Sequence, residues 1–407
     1  MTNLNPDISI EEFDGKIYKI NIFEPSDKAV LTHYLNNYKN GIYKHYKKDA
    51  LNVIKNYIEH KNIEENTNIV AEDVFQHLLF EATNVPFPVN PNYNFKFIDL
   101  FAGIGGFRLS MQKLGGKSVF SSEWNIAAQK TYRINFGEVP FGDITKDKTK
   151  KYIPNNFDVL CAGFPCQAFS IAGYQKGFTD TRGTLFFDIE QIIQEHKPKV
   201  VFLENVKNLI SHDKGKTFKI ILEILEKKLG YKVFYKVLNA MTHANIPQNR
   251  ERIFIVAFDP LQVKNYNKFS FPKEVKLSRK INDILEKDKQ EDIFYYKPTH
   301  PYYTELNKTM QKKDTVYQWR RVYVRENKNN VCPTLTANMG TGGHNVPLIK
   351  DSFGIRKLTP KECFAFQGYP SEYVLPNIAN SKLYMQAGNS VTVPLIERIS
   401  EEIIKVL

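Results

Sequence analysis

The chain has few of the residues that would mark a secreted, metal-holding or membrane protein. Only four cysteines occur in its 407 residues, Cys161, Cys166, Cys332 and Cys363, with no CxxC pairing and no metal-ligand spacing to histidine. A disulfide framework and a metal site are therefore not expected, and a reducing cytoplasm is the expected compartment. No apolar run approaches the roughly 18 residues of a membrane span. The opening MTNLNPDISI lacks the pattern of a secretion signal, so no membrane role is expected.

Positive charge, in contrast, is abundant. Lys plus Arg is 56 against 44 for Asp plus Glu, a formal net charge of +12. Such a balance suits a polyanionic partner, although lysine-rich chains are also basic for solubility alone. With 42% hydrophobic and 13% aromatic residues, the chain can bury one large core and a smaller one, which points to two or three domains.

The most informative stretch is Gly163-Phe164-Pro165-Cys166-Gln167-Ala168-Phe169-Ser170. The apolar run from Phe157 to Ala162 reads as a buried parallel strand, ended by Gly163 and Pro165. Cys166 then falls just beyond a strand's carboxyl end, where open α/β sheets hold their ligands. A thiol there is a ready nucleophile. Taken alone, it could equally be a small buried hydrophobe.

In chain order, residues 1–94 read as a separate extension with helices near 27–38, 44–60 and 71–81. Its basic, aromatic stretch from Tyr38 to Lys48 fits nucleic-acid phosphates or a solvated helix face. The texture changes at Phe95: a short strand to Leu100, the turn Phe101-Ala102-Gly103-Ile104-Gly105-Gly106-Phe107-Arg108, then a helix to Leu114. Strand, glycine turn and helix make a cradle for a nucleotide-like ligand. Arg108 stands where a third glycine would complete GxGxxG, so a dinucleotide fingerprint is not met.

The next strand ends in Glu123-Trp124, and a third unit ends in Gly142-Asp143-Ile144. An acid there accepts from ribose hydroxyls and an aromatic ring stacks on a purine, although Trp124 could instead pack under the sheet. With no Walker lysine in the turn, these ends favour S-adenosylmethionine (SAM) over a polyphosphate. Beyond Cys166 the polar, glycine-studded loop 172–184 has the make-up of a lid over a polyanion. A strand from Lys199 ends in Glu204-Asn205-Val206, which places a carboxyl group at an apolar strand's end, where its pKa rises. Gln248-Asn249-Arg250-Glu251-Arg252 supplies arginines that could fork onto Glu204 or onto phosphate. From Phe271 to Gly354 the alternation stops, and Arg, Asn, Thr and aromatic residues suit base edges and phosphates.

The series FIDLFAGIGGFR, SSEW, GDI, GFPCQAFS, ENV, QNRER, RKLTPKECFAFQGYP and AGNSVTVP, in that order over residues 95–407, resembles the cytosine-C5 DNA methyltransferase family of bacterial restriction-modification systems. The resemblance implies a SAM-dependent methyltransferase fold, α/β with a doubly wound, mostly parallel sheet. It divides the chain into an N-terminal helical extension (1–94), a catalytic SAM-binding domain (95–271), a smaller, irregular target-recognition domain (272–355) and a segment returning to the catalytic domain (356–407). It makes Cys166 the nucleophile on cytosine C6 and sets Glu204 on the N3 and amino edge. Arg250 and Arg252 then belong to the motif that positions glutamate and base. Phe101, Gly103, Gly105, Glu123, Trp124, Asp143, Ile144, Pro165, Asn389 and Ser390 fall on positions that bind SAM, whose product is S-adenosylhomocysteine.

DNA contacts are expected from Ser170, Ala172 and Arg182 in the loop after Cys166, and from Arg320, Arg321, Arg325, Thr334 and Thr336. The implied substrate is double-stranded DNA with the target cytosine flipped out. The enzyme is expected to be a cytoplasmic, nucleoid-associated bacterial monomer, with a cognate restriction endonuclease in the same system but no stable complex with it. A tRNA cytosine-C5 methyltransferase on the same scaffold, or an inactive DNA-binding regulator, are the alternatives; the second would be expected to have lost Cys166 or Glu204, and neither is lost.

Overall fold

The computed structural model describes residues 9–13, 16–19, 25–38, 41–65, 82–165 and 185–407. The helix expected near 71–81, and the expected site residues Cys166, Ser170, Ala172 and Arg182, lie outside the described residues.

Six strands form the central sheet: β3 (Phe95–Leu100), β4 (Gly116–Ser122), β5 (Val159–Gly163), β6 (Val200–Val206), β7 (Lys232–Asn239) and β8 (Glu251–Phe258). Their spatial order is β4-β3-β5-β6-β8-β7, and β8 alone runs against the rest. Near-continuous apolar runs such as VLCA in β5 and VVFL in β6 arise because helices cover both faces, so both side-chain sets must be buried.

Period-two alternation divides those sets between two cores. On one face Ile98, Leu100, Leu160, Ala162, Val201 and Leu203 pack against helices α1 (Pro25–Asn36), α2 (Tyr43–Glu65), α5 (Leu185–His196) and α6 (Lys216–Glu223). On the other, Phe97, Cys161 and Phe202 pack against α3 (Gly106–Lys113) and α9 (Val393–Ile404), the last element of the chain. A third core joins Leu109 and α4 (Ile126–Phe136) to α7 (Pro360–Phe366), α8 (Asn380–Asn389) and the segment around Cys332 to Met339.

Two sequence expectations change here. The N-terminal helices are not detached: Ala29, Leu31, Leu35, Tyr46 and Ala50 are buried in the same core as the sheet. A two-stranded hairpin, β1 (Ser9–Phe13) with β2 (Lys16–Lys19), precedes them. The segment expected to be irregular contains a four-stranded antiparallel sheet of β9 (Tyr317–Arg320), β10 (Tyr323–Glu326), β11 (Leu348–Lys350) and β12 (Ile355–Lys357), in the spatial order β10-β9-β11-β12. Its strands are three or four residues long, too short for alternation to be read from sequence.

Candidate active site

The chemistry gathers at the carboxyl ends of β3 to β6. Register sets Gly163, at the end of β5, directly beside Glu204 on β6. Asn205 donates to the Phe164 carbonyl at 2.9 Å, so the β5 exit is tied to the β6 end. Pro165 is exposed, and Cys166 follows it in the chain.

Glu204 is 8% exposed. Burial raises its pKa, with Arg252 and then Arg250 opposing. Arg252 Nε lies 3.0 Å from Glu204 Oε1, an ion pair that ties the carboxylate to the neighbouring strand. A buried carboxyl group of raised pKa, anchored through one oxygen by Arg252, is equipped to give a proton or hydrogen bond to a ring nitrogen.

The two arginines of QNRER have separate duties. Arg252 meets Glu204, as the sequence suggested. Arg250 does not fork onto Glu204. Its guanidinium is 2% exposed and donates to the carbonyls of Leu335 at 2.7 Å, Gly388 at 3.1 Å and Ser390 at 2.5 Å. Gln248 continues this junction: its side-chain amide donates to the Phe366 carbonyl and accepts from Leu335 N–H. The motif therefore clamps three chain segments together behind the glutamate. The close fit is visible at Gly388, where a Cβ would collide with the Thr336 backbone.

The cofactor candidates form a second group. Phe101, Gly103 and Gly105 all have positive φ, at 55°, 55° and 82°. A Cβ on Gly105 would also run into the Phe136 ring, so this turn needs glycine twice over. Glu123 is 8% exposed and accepts from Gly103 N–H at 2.8 Å and Asn125 N–H at 2.7 Å. Burial still raises its pKa against those bonds. Trp124 does not pack under the sheet; it is 77% exposed beside Glu123. Ile144 is buried, while Asp143 is half-buried and accepts from Thr145 N–H at 2.9 Å. Across the turn, Ser390 Oγ lies 2.7 Å from the Tyr369 hydroxyl, and Asn389 is exposed.

Of the candidates for DNA, Arg320, Arg321 and Arg325 are exposed on the β9–β10 hairpin. Arg320 and Arg325 both donate to Gln318 Oε1, which holds their guanidinium groups side by side. Thr336 is exposed, but the Thr334 hydroxyl is spent on the Asn249 carbonyl at 2.6 Å.

Sequence reasoning missed Asp99. It is fully buried, neither carboxylate oxygen has a hydrogen-bond partner among the described residues, and burial pushes its pKa up to about 8. An acid two residues before a glycine turn carries no sign that its neighbours will be Cys161 and Ser121 on adjacent strands.

A mostly parallel sheet with one reversed strand, a glycine turn facing an acid and an open indole, and a buried glutamate beside the exit of the neighbouring strand make an α/β fold with its candidate site at the strands' carboxyl ends. Residues 95–405 match the family of C-5 cytosine-specific DNA methylases, and the chain belongs to it. It is 52% identical over 310 residues to the type II methyltransferase M.Bsp6I of Bacillus sp. (strain RFL6), covering 75% of this chain and 97% of that protein. To M.HpaII of Haemophilus parainfluenzae it is 43% identical over 354 residues, 84% of this chain and 97% of the other. Among solved structures, the S. pombe Dnmt2 methyltransferase shares the fold with a TM-score of 0.58 at 17% identity, over 76% of this chain and 98% of that one. The protein is an enzyme, a DNA cytosine-C5 methyltransferase.

Proposed function

We propose that this enzyme methylates one cytosine within a specific short duplex sequence, with Cys166 as nucleophile, Glu204 as the acid at N3 and SAM held by Phe101, Gly103, Gly105, Glu123, Trp124, Asp143, Ile144, Pro165, Asn389 and Ser390. The observation that carries the reading is Glu204: a buried carboxyl group of raised pKa beside Gly163, three residues before Cys166. The residues fit the cofactor. Trp124 offers an uncovered aromatic face, Glu123 is pinned by the backbone N–H groups of Gly103 and Asn125, and the backbone turns at Gly103 with little more than a carbonyl near its missing Cβ. When bound, SAM supplies an electrophilic methyl group.

Cytosine C5 is too electron-poor to take that group unaided. The Cys166 thiolate adds to C6 while the Glu204 carboxyl protonates N3, which turns C5 into an enamine-like carbon. After C5 has taken the methyl group, a base removes the C5 proton, the C6–sulfur bond breaks and N3 returns its proton to Glu204, restoring the thiolate, the carboxyl group and the ring's double bond. Arg252 holds Glu204 toward the ring, and Arg250 holds the wall behind it. The target base must leave the helix, at a cost of a few kcal/mol that pocket and phosphate contacts offset. The exposed arginines of the β9–β10 hairpin and the net charge of +12 suit those contacts.

The reading extends to a monomer of the bacterial cytoplasm that works on nucleoid DNA and protects it from a cognate endonuclease without a lasting complex with that enzyme. Among the described residues, no helix is long and apolar enough to cross a membrane. The test is covalent trapping: a duplex carrying 5-fluorocytosine at the target should become bound at Cys166 in the presence of SAM, because fluorine cannot leave as a proton does. Bisulfite sequencing of host DNA gives the target sequence. Absence of trapping on duplex DNA, with methylation of tRNA instead, would overturn the assignment.

A further inference from the structure

The N-terminal helix α1 sends a row of polar side chains into the edge of the cofactor-binding half of the sheet. His33 is fully buried, and its Nδ1 lies 2.8 Å from the Ala29 carbonyl. A carbonyl only accepts, so Nδ1 carries the proton and the neutral ring's Nε2 accepts from Ser121 N–H at 3.1 Å. Burial lowers the pKa of His33, which favours this neutral form.

Ser121 belongs to β4, an edge strand of the sheet. Open edge groups require partners. The segment 138–141 provides some: Phe141 N–H donates to Ser121 O at 2.9 Å, and Glu123 N–H donates to Phe141 O at 2.7 Å. That segment is itself held by α1. Val139 N–H donates to Thr32 Oγ1 at 2.9 Å, and Asn36 donates to Glu138 Oε2 at 3.1 Å. The other Glu138 oxygen accepts from Arg108, of the helix after the glycine turn, at 2.7 Å and from the Ser121 hydroxyl at 2.8 Å. Burial opposes the Glu138 charge, but Arg108 and the hydrogen bonds from Ser121 and Asn36 outweigh it and keep its pKa below the usual value.

We propose that Thr32, His33 and Asn36 are positioning residues for methyl-donor binding: α1 clamps β4 to the 138–141 segment and so fixes Glu123 relative to Asp143 and Ile144. Glu123 follows the clamped Ser121 by two residues, and Asp143 follows the clamped Phe141 by two. Arg108 carries the same network to the helix that starts at the glycine turn. The inference rests on the proposed cofactor role of Glu123 and Asp143.

The experiment measures calorimetric affinity for SAM and S-adenosylhomocysteine, affinity for duplex DNA without cofactor, and amide exchange of the ligand-free full chain. The variants are His33→Ala and Thr32→Val, with His33→Gln and Thr32→Ser as conservative partners that keep an acceptor. His33→Ala and Thr32→Val should each weaken both cofactors about ten-fold, roughly 1.4 kcal/mol, with DNA affinity within about two-fold of the parent, by the same scale. Amides at 119–123 and 138–144 should exchange faster while those of β5 and β6 stay protected, and the conservative partners should recover most of the loss. Thr32→Val keeps the side-chain shape while removing the acceptor for Val139 N–H and the hydroxyl's own bonds back to the Lys28 and Ala29 carbonyls, and it carries the test if His33→Ala does not fold. Unchanged cofactor affinity in a folded variant would overturn the proposal, as would uniform loss of protection with cofactor and DNA affinity falling together. A parent chain that bound no SAM at all would instead sink the cofactor assignment.

Discussion

Replacing Arg250 by methionine separates a clamp from a catalytic group. The guanidinium makes three hydrogen bonds, to Leu335, Gly388 and Ser390 carbonyls, and no carboxylate among the described residues lies within ion-pair distance of it. Hydrogen bonds to a charged donor are worth about 1.5–3 kcal/mol each, so three set an upper bound of roughly 4.5–9 kcal/mol. Burial of an unpaired cation takes much of this back, consistent with a pKa depressed first by desolvation and then by Arg252. A net loss of about 3 kcal/mol remains, because methionine fills the volume but leaves three buried carbonyls without donors. In a chain of 407 residues, with an unfolding entropy of about 2.1 cal/mol/K per residue, that corresponds to a fall in Tm of roughly 3–4 °C. Thermal melts followed by circular dichroism measure it, and methylation assayed well below the new Tm should lose much less activity than Glu204→Gln. An unchanged Tm with methylation abolished would refute the clamp and return Arg250 to direct contact with the reacting base.

Further outcomes follow from the same geometry. Asp99 ionises near pH 8 when folded but near the ordinary carboxylate value when unfolded, so between roughly pH 4 and 8 the folded state holds a proton that the unfolded state has released. Stability from this group therefore falls as pH rises through that window, and Asp99→Asn should flatten the Tm-versus-pH curve, with its gain largest at about pH 8; a parallel curve would refute it. Trp124→Ala should weaken SAM binding about ten-fold, within the 1–3 kcal/mol typical of base stacking, yet leave Tm unchanged because the indole is 77% exposed. Arg320→Ala, Arg321→Ala and Arg325→Ala should each reduce the salt slope of DNA binding by about one if they meet phosphates; loss of sequence preference without a change of slope would assign them to base edges instead.

The sequence by itself determined the frame of this protein. Runs at 95–100, 116–122, 159–163 and 200–206 became adjacent parallel strands, and the motifs at the ends of the first, second and fourth became the glycine turn, Glu123 with Trp124, and Glu204. These were legible because strand ends and turns are local events, written in a few consecutive residues. Tertiary structure decided what depends on distant partners. Two arginines one residue apart in QNRER parted ways, one onto Glu204 and one onto carbonyls 85 and 140 residues away. Trp124 could pack or stay open until the sheet left it outside. The N-terminal helices read as an appendage because their buried face matches an edge strand about 90 residues later, at Ser121, and no local pattern announces a hydrogen bond accepted by His33 across 88 residues. Side-chain chemistry is spelled in the chain, but whether a polar group meets water, a carbonyl or a charge is fixed only when the packed core has chosen its neighbours.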